Sequence, residues 1–265
     1  MENKRYPSDL TDDEWDYIRD MIPEAKPGGR PRKLNMREVV NGLFYLVKGG
    51  IQWRMLPKDF PNWKSIYNYF REWKRNGFWQ QIHDKMRAEV RKEAGRNESP
   101  SAAILDSQSV KTTEQGGPQR GYDAGKKVNG RKRHLLVDTM GLILIAVVHA
   151  ACIQDRDGAK LVLEQLKDTF KRLRKIWADA GYAGMLIDWV RALRKWGKID
   201  LEIVKRNDDQ VGFAVQPHRW IVERTLAWLG RYRRLSKDYE TLPSSSETMI
   251  YLAMIRLMLR RLCPS

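Results

Sequence analysis

Cysteine and histidine are scarce in this 265-residue sequence, which has two of the first and four of the second. Cys152 and Cys263 do not stand at the spacing of metal-ligand pairs, so a zinc site is not expected, and two unpaired thiols suit a reducing compartment. No apolar run approaches the roughly 20 residues that cross a bilayer. The polar start MENKRYPSDL predicts no signal peptide, and we expect a cytoplasmic protein.

Acidic residues are also in short supply: 33 Asp and Glu face 49 Lys and Arg, which gives a formal net charge of +16 and a pI of about 9.9. An excess of this size favours a polyanionic partner, most simply nucleic acid. The alternative is a basic surface that meets only solvent. Hydrophobic residues make up 42% of the chain, which is enough for a folded core without long disorder.

A polar, basic stretch that ends at residues 97–100 divides the chain into two predicted domains. Residues 1–97 show helical patterns, whereas residues 98–265 alternate between strand and helix patterns. The first helix is predicted to start with a capping box formed by Thr11 and Glu14. Further helices are predicted over residues 36–48, 62–77 and 78–92.

The predicted helix at 62–77 has two unlike faces. Aromatic and apolar side chains repeat on one face, and the opposite face carries Lys64, Asn68, Arg71 and Arg75. A helix, a short connector and a helix with such an outer face form the pattern of a helix-turn-helix, and Arg and Asn read guanine and adenine edges. We therefore predict that these four residues bind DNA. An ordinary amphipathic helix with a solvated face is the alternative.

The second half is predicted to be a mixed α/β sheet with flanking helices. Strand patterns cover residues 102–106, 131–138, 142–149, 175–179 and 199–204. Helical patterns cover residues 157–172, 185–196, 217–235 and 244–262. A second capping box, formed by Ser244 and Glu247, is predicted to open the last helix.

Two of these strands end in an aspartate, Asp106 and Asp179, and a late helix carries Glu223. If the strands are neighbours, the carboxylates converge at one edge of the sheet. Phosphodiester cleavage needs an activated nucleophile and a stabilised leaving oxygen, which two divalent cations about 3.5–4 Å apart supply on a few carboxylate ligands. We predict that these three acids are catalytic and hold such ions. For a single strand-end Asp, a turn or helix cap is the alternative.

The helix of Glu223 is one-sided in charge, because residues 219–234 hold five arginines and one acidic residue. Three of these arginines are predicted to contact DNA phosphate near the glutamate, namely Arg219, Arg231 and Arg234. The alternative for the first of them is a helix pair with Glu223, which contributes only about 0.2–0.5 kcal/mol.

Four more basic residues are predicted to face DNA, with a charged hairpin surface as the alternative for the last three: Lys111, Arg131, Lys132 and Arg133. Asp155 and Asp157 are rival acids near the predicted site. We interpret them as the cap and first turn of the next helix. Asp138 most simply serves the hairpin turn.

The order and spacing of several motifs are highly specific together, although each one alone is weak. The sequence resembles bacterial insertion-sequence transposases of the insertion sequence 5 family over nearly its whole length. The matching segments are YPSDLTDDEW, GIQWRMLP, LDSQSVKTTE, GRKRHLLVDTMG, IWADAGYAG and HRWIVERTLAWLGRYRRLSKDYE.

This resemblance implies an RNase H-like catalytic domain with a DDE triad at Asp106, Asp179 and Glu223, and two Mg²⁺ or Mn²⁺ ions. It also implies a nucleoid-associated protein that acts as an oligomer on terminal inverted repeats and on target double-stranded DNA. Related transposases carry a Tyr, Arg, Glu, Lys signature around the glutamate. Here Gln216 holds the Tyr position and Gly230 the Lys position, so the lysine's role falls to Arg231 or Arg234.

Two other functions remain open at this point. A domesticated repressor would share the charge and the N-terminal helices, but three converging carboxylates beside phosphate bring no benefit to a protein that only binds DNA. An RNase H-like nuclease without strand transfer would need the acids as well, and its products would distinguish it. The fold expected in each case is an RNase H-like sheet preceded by a helix-turn-helix-like helical domain.

Overall fold

The computed structural model describes residues 6–25, 28, 31–166, 169–192, 199–204 and 218–264. Its N-terminal part is helical, as the sequence predicts. The helices there are α1 (Asp12–Arg19), α2 (Met36–Gly49), α3 (Trp63–Arg75) and α4 (Phe78–Glu93). Each predicted helix in this part therefore exists, and the bounds of α2, α3 and α4 differ from the predicted ones by one or two residues.

Helix α1 starts with the predicted capping box. The hydroxyl of Thr11 accepts the N–H of Glu14 at 3.0 Å, and the carboxylate of Glu14 accepts the N–H of Thr11 at 2.9 Å. The same glutamate forms a buried ion pair with Arg256 near the end of the chain, which also donates to the carbonyl of Asp9 at 3.1 Å. A local cap thus becomes a long-range tie between the first and the last helix.

The connector between α2 and α3 spans residues 50–62 and contains a 3-10 turn at Trp53–Met55. It has the length of the gap between the two predicted helices, but it is longer than the three- or four-residue turn of a typical helix-turn-helix. Gly50 ends α2 with a φ of 70°, and a Cβ at this position would lie 2.9 Å from the backbone carbon of Arg233. Glycine is therefore required where this connector begins.

In the described residues of the second half, six strands form one mixed sheet, and they confirm the predicted RNase H-like α/β fold. The strands are β1 (Ala102–Lys111), β2 (Gly121–Asp123), β3 (Val128–Asp138), β4 (Ile143–Ala150), β5 (Lys175–Ala178) and β6 (Asp200–Ile203). β1 pairs antiparallel with β3 and parallel with β5, and β5 pairs parallel with β6. β4 and the short β2 pair with the other edge of β3.

Helices cover both faces of this sheet. They are α5 (Asp155–Glu164), α6 (Met185–Ala192), α7 (Arg219–Gly230) and α8 (Pro243–Leu262). Residues 193–196 and Pro217, which the sequence assigns to helices, lie outside the described residues. In the described ranges, no helix combines the length and the apolar character needed to cross a membrane.

Helix α5 ends earlier than predicted. The apolar spacing continues beyond Glu164 with Leu166, Phe170 and Leu173, which are all buried in the core next to α5. They reach this core from turns, because the chain must reverse before β5 begins at Lys175. The apolar spacing therefore predicted burial correctly but predicted a helix over residues that lie in turns.

Successive strand residues face two separate apolar cores. On β1, Ile104 faces the core that contains α7, α8 and the N-terminal helices, whereas Ala103 and Leu105 face the core under α5 and α6. Both faces of the sheet are therefore covered, which accounts for nearly continuous apolar strands such as β4. Successive side chains of β1 are in this way directed to opposite sides of the sheet.

The capping box predicted at Ser244 and Glu247 is wrong. Helix α8 begins at Pro243. The first turn of a helix tolerates proline, because the N–H that proline lacks would have no partner within the helix. Glu247 turns to the sheet instead, where its carboxylate accepts the N–H of Val148 at 2.9 Å. Burial raises the pKa of Glu247 to about 7, although this hydrogen bond and the charge of Lys74 oppose the shift.

The raised pKa of Glu247 predicts a pH-dependent loss of stability. Below pH 4.5 the group is neutral in the folded and unfolded chains, and as the pH rises from 4.5 to about 7 the unfolded chain ionises first. Glu247→Gln keeps an oxygen that accepts from Val148, so we expect it to stabilise the fold by about 1–3 kcal/mol at pH 8 and hardly at pH 4.5. Denaturant unfolding at the two pH values measures this difference.

The matched control is Glu164→Gln, which changes an exposed glutamate on α5 in the same way. It should leave the free energy of unfolding unchanged at both pH values. An equal effect of Glu247→Gln at pH 4.5 and pH 8 would contradict the assignment of the cost to ionisation.

Candidate active site

The register of β1 against β5 places Asp106 beside Asp179. The last paired position of these parallel strands is Ile104 with Trp177. Each aspartate stands two residues beyond this pair, Asp106 within β1 and Asp179 directly after β5, so both lie at the same level and on the same face. The structure thus brings together the two acids that the sequence places at neighbouring strand ends, although β1 itself continues past Asp106 to Lys111.

Helix α7 adds Arg219 and Glu223 to this face. It packs on the sheet through Ile221, Val222 and Leu229, which are buried in the same core as Ile104. The residue before the helix, His218, has a φ of 66°, which is uncommon outside glycine. Its ring stacks on Trp177 with 4.0 Å between centroids and 10° between planes. The stack joins the start of α7 to the strand that leads to Asp179.

One nitrogen, Nη2 of Arg219, lies within ion-pair distance of all three predicted acids. Its distances to the nearest carboxylate oxygens are 3.9 Å for Asp106, 3.6 Å for Asp179 and 3.8 Å for Glu223. Asp106 is the most buried of the acids, with 14% of its side chain exposed, and Glu223 is the most open, with 55% exposed. The three acids therefore surround one guanidinium, with Asp106 buried against the sheet and Glu223 open to solvent.

Burial raises the pKa of Asp106 to about 6, and the neighbouring charge of Asp179 acts in the same direction. The N–H of Ser107, which donates to Asp106 at 2.7 Å, and the charges of Arg219 and Lys126 oppose the shift. A positive charge beside Asp106 therefore favours the ionised form of its carboxyl group. Such perturbed carboxyl groups in a cleft are typical of functional sites.

The three converging acids suit a hard divalent cation, because their side chains offer carboxylate oxygens. As the side chains stand, no three Asp, Glu, His or Cys residues in the described part of the chain form a ready metal-ligand group. The guanidinium of Arg219 lies between the acids and supplies the positive charge. The three carboxylates therefore fit a divalent metal in two respects: they are oxygen ligands, and they already converge on one positive charge, the guanidinium of Arg219.

Six of the predicted DNA contacts are exposed side chains. The four residues on α3 face solvent, as predicted, and so do Lys111 at the end of β1 and Arg231 at the end of α7. These are Lys64, Asn68, Arg71, Arg75, Lys111 and Arg231. Gly230, at the signature's lysine position, is exposed with open space around it, while Gln216 lies outside the described residues. Whether the exposed six bind DNA stays a prediction.

Four other predicted DNA contacts are buried inside the protein: Arg131, Lys132, Arg133 and Arg234. Arg131 is fully buried and donates to four backbone carbonyls, those of Gln119, Glu240, Gly116 and Thr241. These side chains do not face DNA as predicted, because each of them is buried against other parts of the protein. The charged run GRKRH is therefore structural.

The other three buried cations also have partners inside the fold. Arg133 donates to the carbonyls of Leu235 and Lys237 at 2.7 and 3.0 Å. Arg234 donates to the carboxylate of Glu240 and to the carbonyl of Ile51, both at 2.7 Å. Of the two candidates for the signature's lysine, only Arg231 thus remains accessible. Lys132 pairs with Asp155 at 2.8 Å.

Two residues next to the acids were not assigned to the site by sequence reasoning. Lys126 donates to the carbonyl of Ser107 at 3.4 Å, and Asp155 accepts from the hydroxyl of Ser107 at 2.9 Å. Burial would raise the pKa of Asp155, but hydrogen bonds from Lys132 and Ser107 hold it below its usual range. A first-turn Asp beside a second one, Asp157, gave no sequence signal that set it apart.

Comparison with known families agrees with this geometry. The family described as "Transposase DDE domain" matches residues 97–258, which is more than half of the chain. The chain belongs to this DDE transposase family. A second family, described as "Putative transposase of IS4/5 family", matches residues 10–83 of the same transposase chain. The two matches together cover α1, α2, α3 and the sheet of the DDE transposase.

Curated relatives also carry transposon names. The chain is 32% identical over 118 residues to "Putative transposase for insertion sequence element IS402" from Burkholderia cepacia, a match that covers 42% of the chain and 54% of the relative. It is 28% identical over 109 residues to "Insertion element IS402 uncharacterized 16.2 kDa protein" from the same organism, covering 38% and 73%. The chain thus spans about half of the first relative. No solved structure matches this transposase significantly.

The burial of Arg131 predicts a role in stability. Arg131→Met removes the donors for four carbonyls and leaves the buried carboxylate of Asp238, 3.3 Å away, without this cation. We expect a loss of about 3–5 kcal/mol in the free energy of unfolding, the usual cost of breaking a buried pair. The control Arg71→Met alters an exposed arginine and should change stability by no more than about 0.5 kcal/mol. Equal effects in the two variants would refute the structural role.

Proposed function

We propose that this chain is a transposase that binds the terminal inverted repeats of an insertion sequence and catalyses DNA strand cleavage and strand transfer. The observation that carries the proposal is the convergence of Asp106, Asp179 and Glu223, from three different elements, on one side of the sheet. Membership of the DDE transposase family and the names of the relatives support it.

The proposed cofactor is Mg²⁺ or Mn²⁺, with two ions held by the three carboxylates. When bound, such ions activate the attacking oxygen and stabilise charge on the leaving oxygen of the phosphodiester. Asp106 and Asp179 anchor the site on the rigid sheet, while the more exposed Glu223 closes it from α7. The guanidinium of Arg219 offsets part of the acids' negative charge in the absence of DNA and pairs with a DNA phosphate once metal and DNA are bound.

The proposed reaction has two steps at each DNA end. Water attacks the phosphodiester at the element boundary, which breaks the bond to the 3′-oxygen and frees a 3′-OH. That 3′-OH then attacks a target phosphodiester, forms a new bond to phosphorus and releases the target's own 3′-oxygen. The first step hydrolyses one phosphodiester bond, and the second exchanges one phosphodiester bond for another. The three acids would hold the metal ions, and these ions would position the reacting phosphate.

The proposed partner is double-stranded DNA, from the element's ends and from the target, bound by a homo-oligomer that pairs two ends. The exposed cations on α3 suit the outer contacts, and Lys111 and Arg231 suit phosphates near the acids. We further propose that residues 1–97 are the DNA-binding domain and residues 98–265 the catalytic domain. The family matches to residues 10–83 and 97–258 support this division.

Replacing any of the three acids should abolish cleavage while DNA binding survives. We expect Asp106→Asn, Asp179→Asn and Glu223→Gln to lower the cleavage rate by more than the 10–100-fold typical of residues outside the metal's own ligands. The assay is incubation of a labelled duplex that carries the element's end with Mg²⁺, with a mobility shift as the measure of binding. Asp188→Asn, at an exposed pair on α6, is the control that should cut like wild type.

Each outcome separates the candidate functions. Retained cleavage in one variant removes that residue from the triad. Specific binding without cleavage by the wild-type protein favours the repressor, and nicked product that is never joined to target DNA favours a nuclease.

The exposed arginines of α3 predict the mode of DNA recognition. If Arg71 or Arg75 reads a base, its replacement by Ala should cost about 1–3 kcal/mol and relax selectivity at one base pair of the end. If it contacts only phosphate, binding falls equally for all sequences and the salt dependence weakens. Binding titrations with matched and mutated ends measure both. Arg19→Ala, an exposed arginine on α1, serves as the control, and an effect as large as that of Arg71→Ala would argue against recognition by α3.

A further inference from the structure

Beneath the three acids, on the opposite face of β1, lies a partly buried polar network that the proposed chemistry does not use. Its centre is Asp155 in the first turn of α5. The Oδ1 atom of Asp155 accepts the hydroxyl of Ser107 at 2.9 Å and pairs with Nζ of Lys132 at 2.8 Å. The Lys132 side chain is only 5% exposed, and its ammonium also donates to the carbonyl of Ile153 at 3.0 Å.

The network touches both elements that carry the aspartates. On one side, the N–H of Ser107 donates to the carboxylate of Asp106, so the residue that Asp155 binds also orients that acid. On the other side, the N–H of Gly181 donates to Asp179 at 2.8 Å. A Cβ on Gly181 would lie 3.7 Å from Oδ2 of Asp155 and 3.0 Å from Oδ1 of Asp179. Asp155 therefore lies between the backbone segments that hold the two acids.

These contacts distinguish Asp155 from an ordinary first-turn aspartate. The residue before it, Gln154, occupies the N-cap position of α5, and the carboxylate of Asp155 reaches across to β1 and β3. Asp157, in the same turn, pairs with Lys160 of its own helix at 2.9 Å and has 59% of its side chain exposed. A stabilising interaction with the helix dipole would be available to both aspartates, but only the first makes the tertiary contacts described above.

Burying an ammonium and a carboxylate together costs desolvation free energy, and an apolar pair would often serve stability equally well. The geometry gives this pair a second use. Because Lys132 holds the same oxygen that accepts from Ser107, the pair ties the residue next to Asp106 to helix α5. Partners outside the ligand shell that orient metal-binding side chains commonly act in this way.

We propose that Asp155, held by Lys132, is a positioning residue that sets Asp106 relative to Asp179 for metal binding and strand cleavage. The inference rests on the function proposed above. Asp155 does not contact the reacting phosphate in this account; it acts through Ser107 and through the backbone beside Gly181.

The test compares Asp155→Asn with Asp157→Asn, its matched control on the same helix turn. Mn²⁺ affinity is measured from free Mn²⁺ by electron paramagnetic resonance, with and without duplex DNA that carries the element's end. Affinity for that DNA, single-turnover cleavage rate and thermal unfolding are measured on the same preparations. We expect Asp155→Asn to lower Mn²⁺ affinity and the cleavage rate by about 10–100-fold, with unchanged DNA affinity, and Asp157→Asn to match wild type.

A second variant, Ser107→Ala, removes the hydroxyl but keeps the Asp155–Lys132 pair. It should shift Mn²⁺ affinity in the same direction, and the double variant should be no worse than the more affected single one, because both changes break the same link. If Asp155→Asn does not fold, Ser107→Ala decides the question by the same Mn²⁺ measurement.

Mn²⁺ affinity in folded Asp155→Asn that equals wild type would overturn the proposal, as would an equal fall in Asp157→Asn. A fall in DNA affinity that accounts for the whole loss of cleavage would also overturn it. Failure of the proposed function looks different: the wild-type protein then binds Mn²⁺ but does not cut DNA, and the Mn²⁺ comparison still decides the role of Asp155.

Discussion

The parallel register of β1 against β5 is the constraint on which the candidate site depends. Asp106 and Asp179 meet because each stands two residues beyond the pair Ile104 and Trp177. A slip of one residue in either strand would move its aspartate to the opposite face of the sheet, away from α7. The apolar residues on both faces prevent that slip, since Ala103, Ile104 and Leu105 would all exchange cores.

The sequence was sufficient for most of the fold and for the grouping of the three acids. Apolar runs show where strands end, and aspartates at the ends of neighbouring strands lie at the same edge of a sheet. Asp106 and Asp179 could therefore be paired from the sequence alone. Glu223 followed from the imbalance of charge on its helix. The length of β1, the short β2 and the early end of α5 did not follow, because turns can bury apolar residues as well as helices do.

The largest errors concern charged residues that the fold buries. Arg131 and Arg133 were predicted to be exposed because charged side chains are rarely buried without a partner. Their partners are mostly backbone carbonyls between α7 and α8, and no sequence pattern shows that these carbonyls lack other donors. Glu247 likewise lies where a capping box would be expected but bonds to β4. Asp155 and Asp157 look equivalent in sequence. Only tertiary placement separates the one that contacts β1 and β3 from the one that stays at the surface.

The ion pair between Glu14 and Arg256 has a consequence for the order in which the chain is made. These partners are 242 residues apart, so the first helix leaves the ribosome long before its partner exists. At about 5–20 residues per second, that interval is roughly 10–50 s. Until then the carboxylate of Glu14 lacks its arginine partner, and the core face that α8 covers stays exposed. On our proposal, a nascent chain therefore does not display a finished DNA-binding surface before its catalytic sheet has been synthesised.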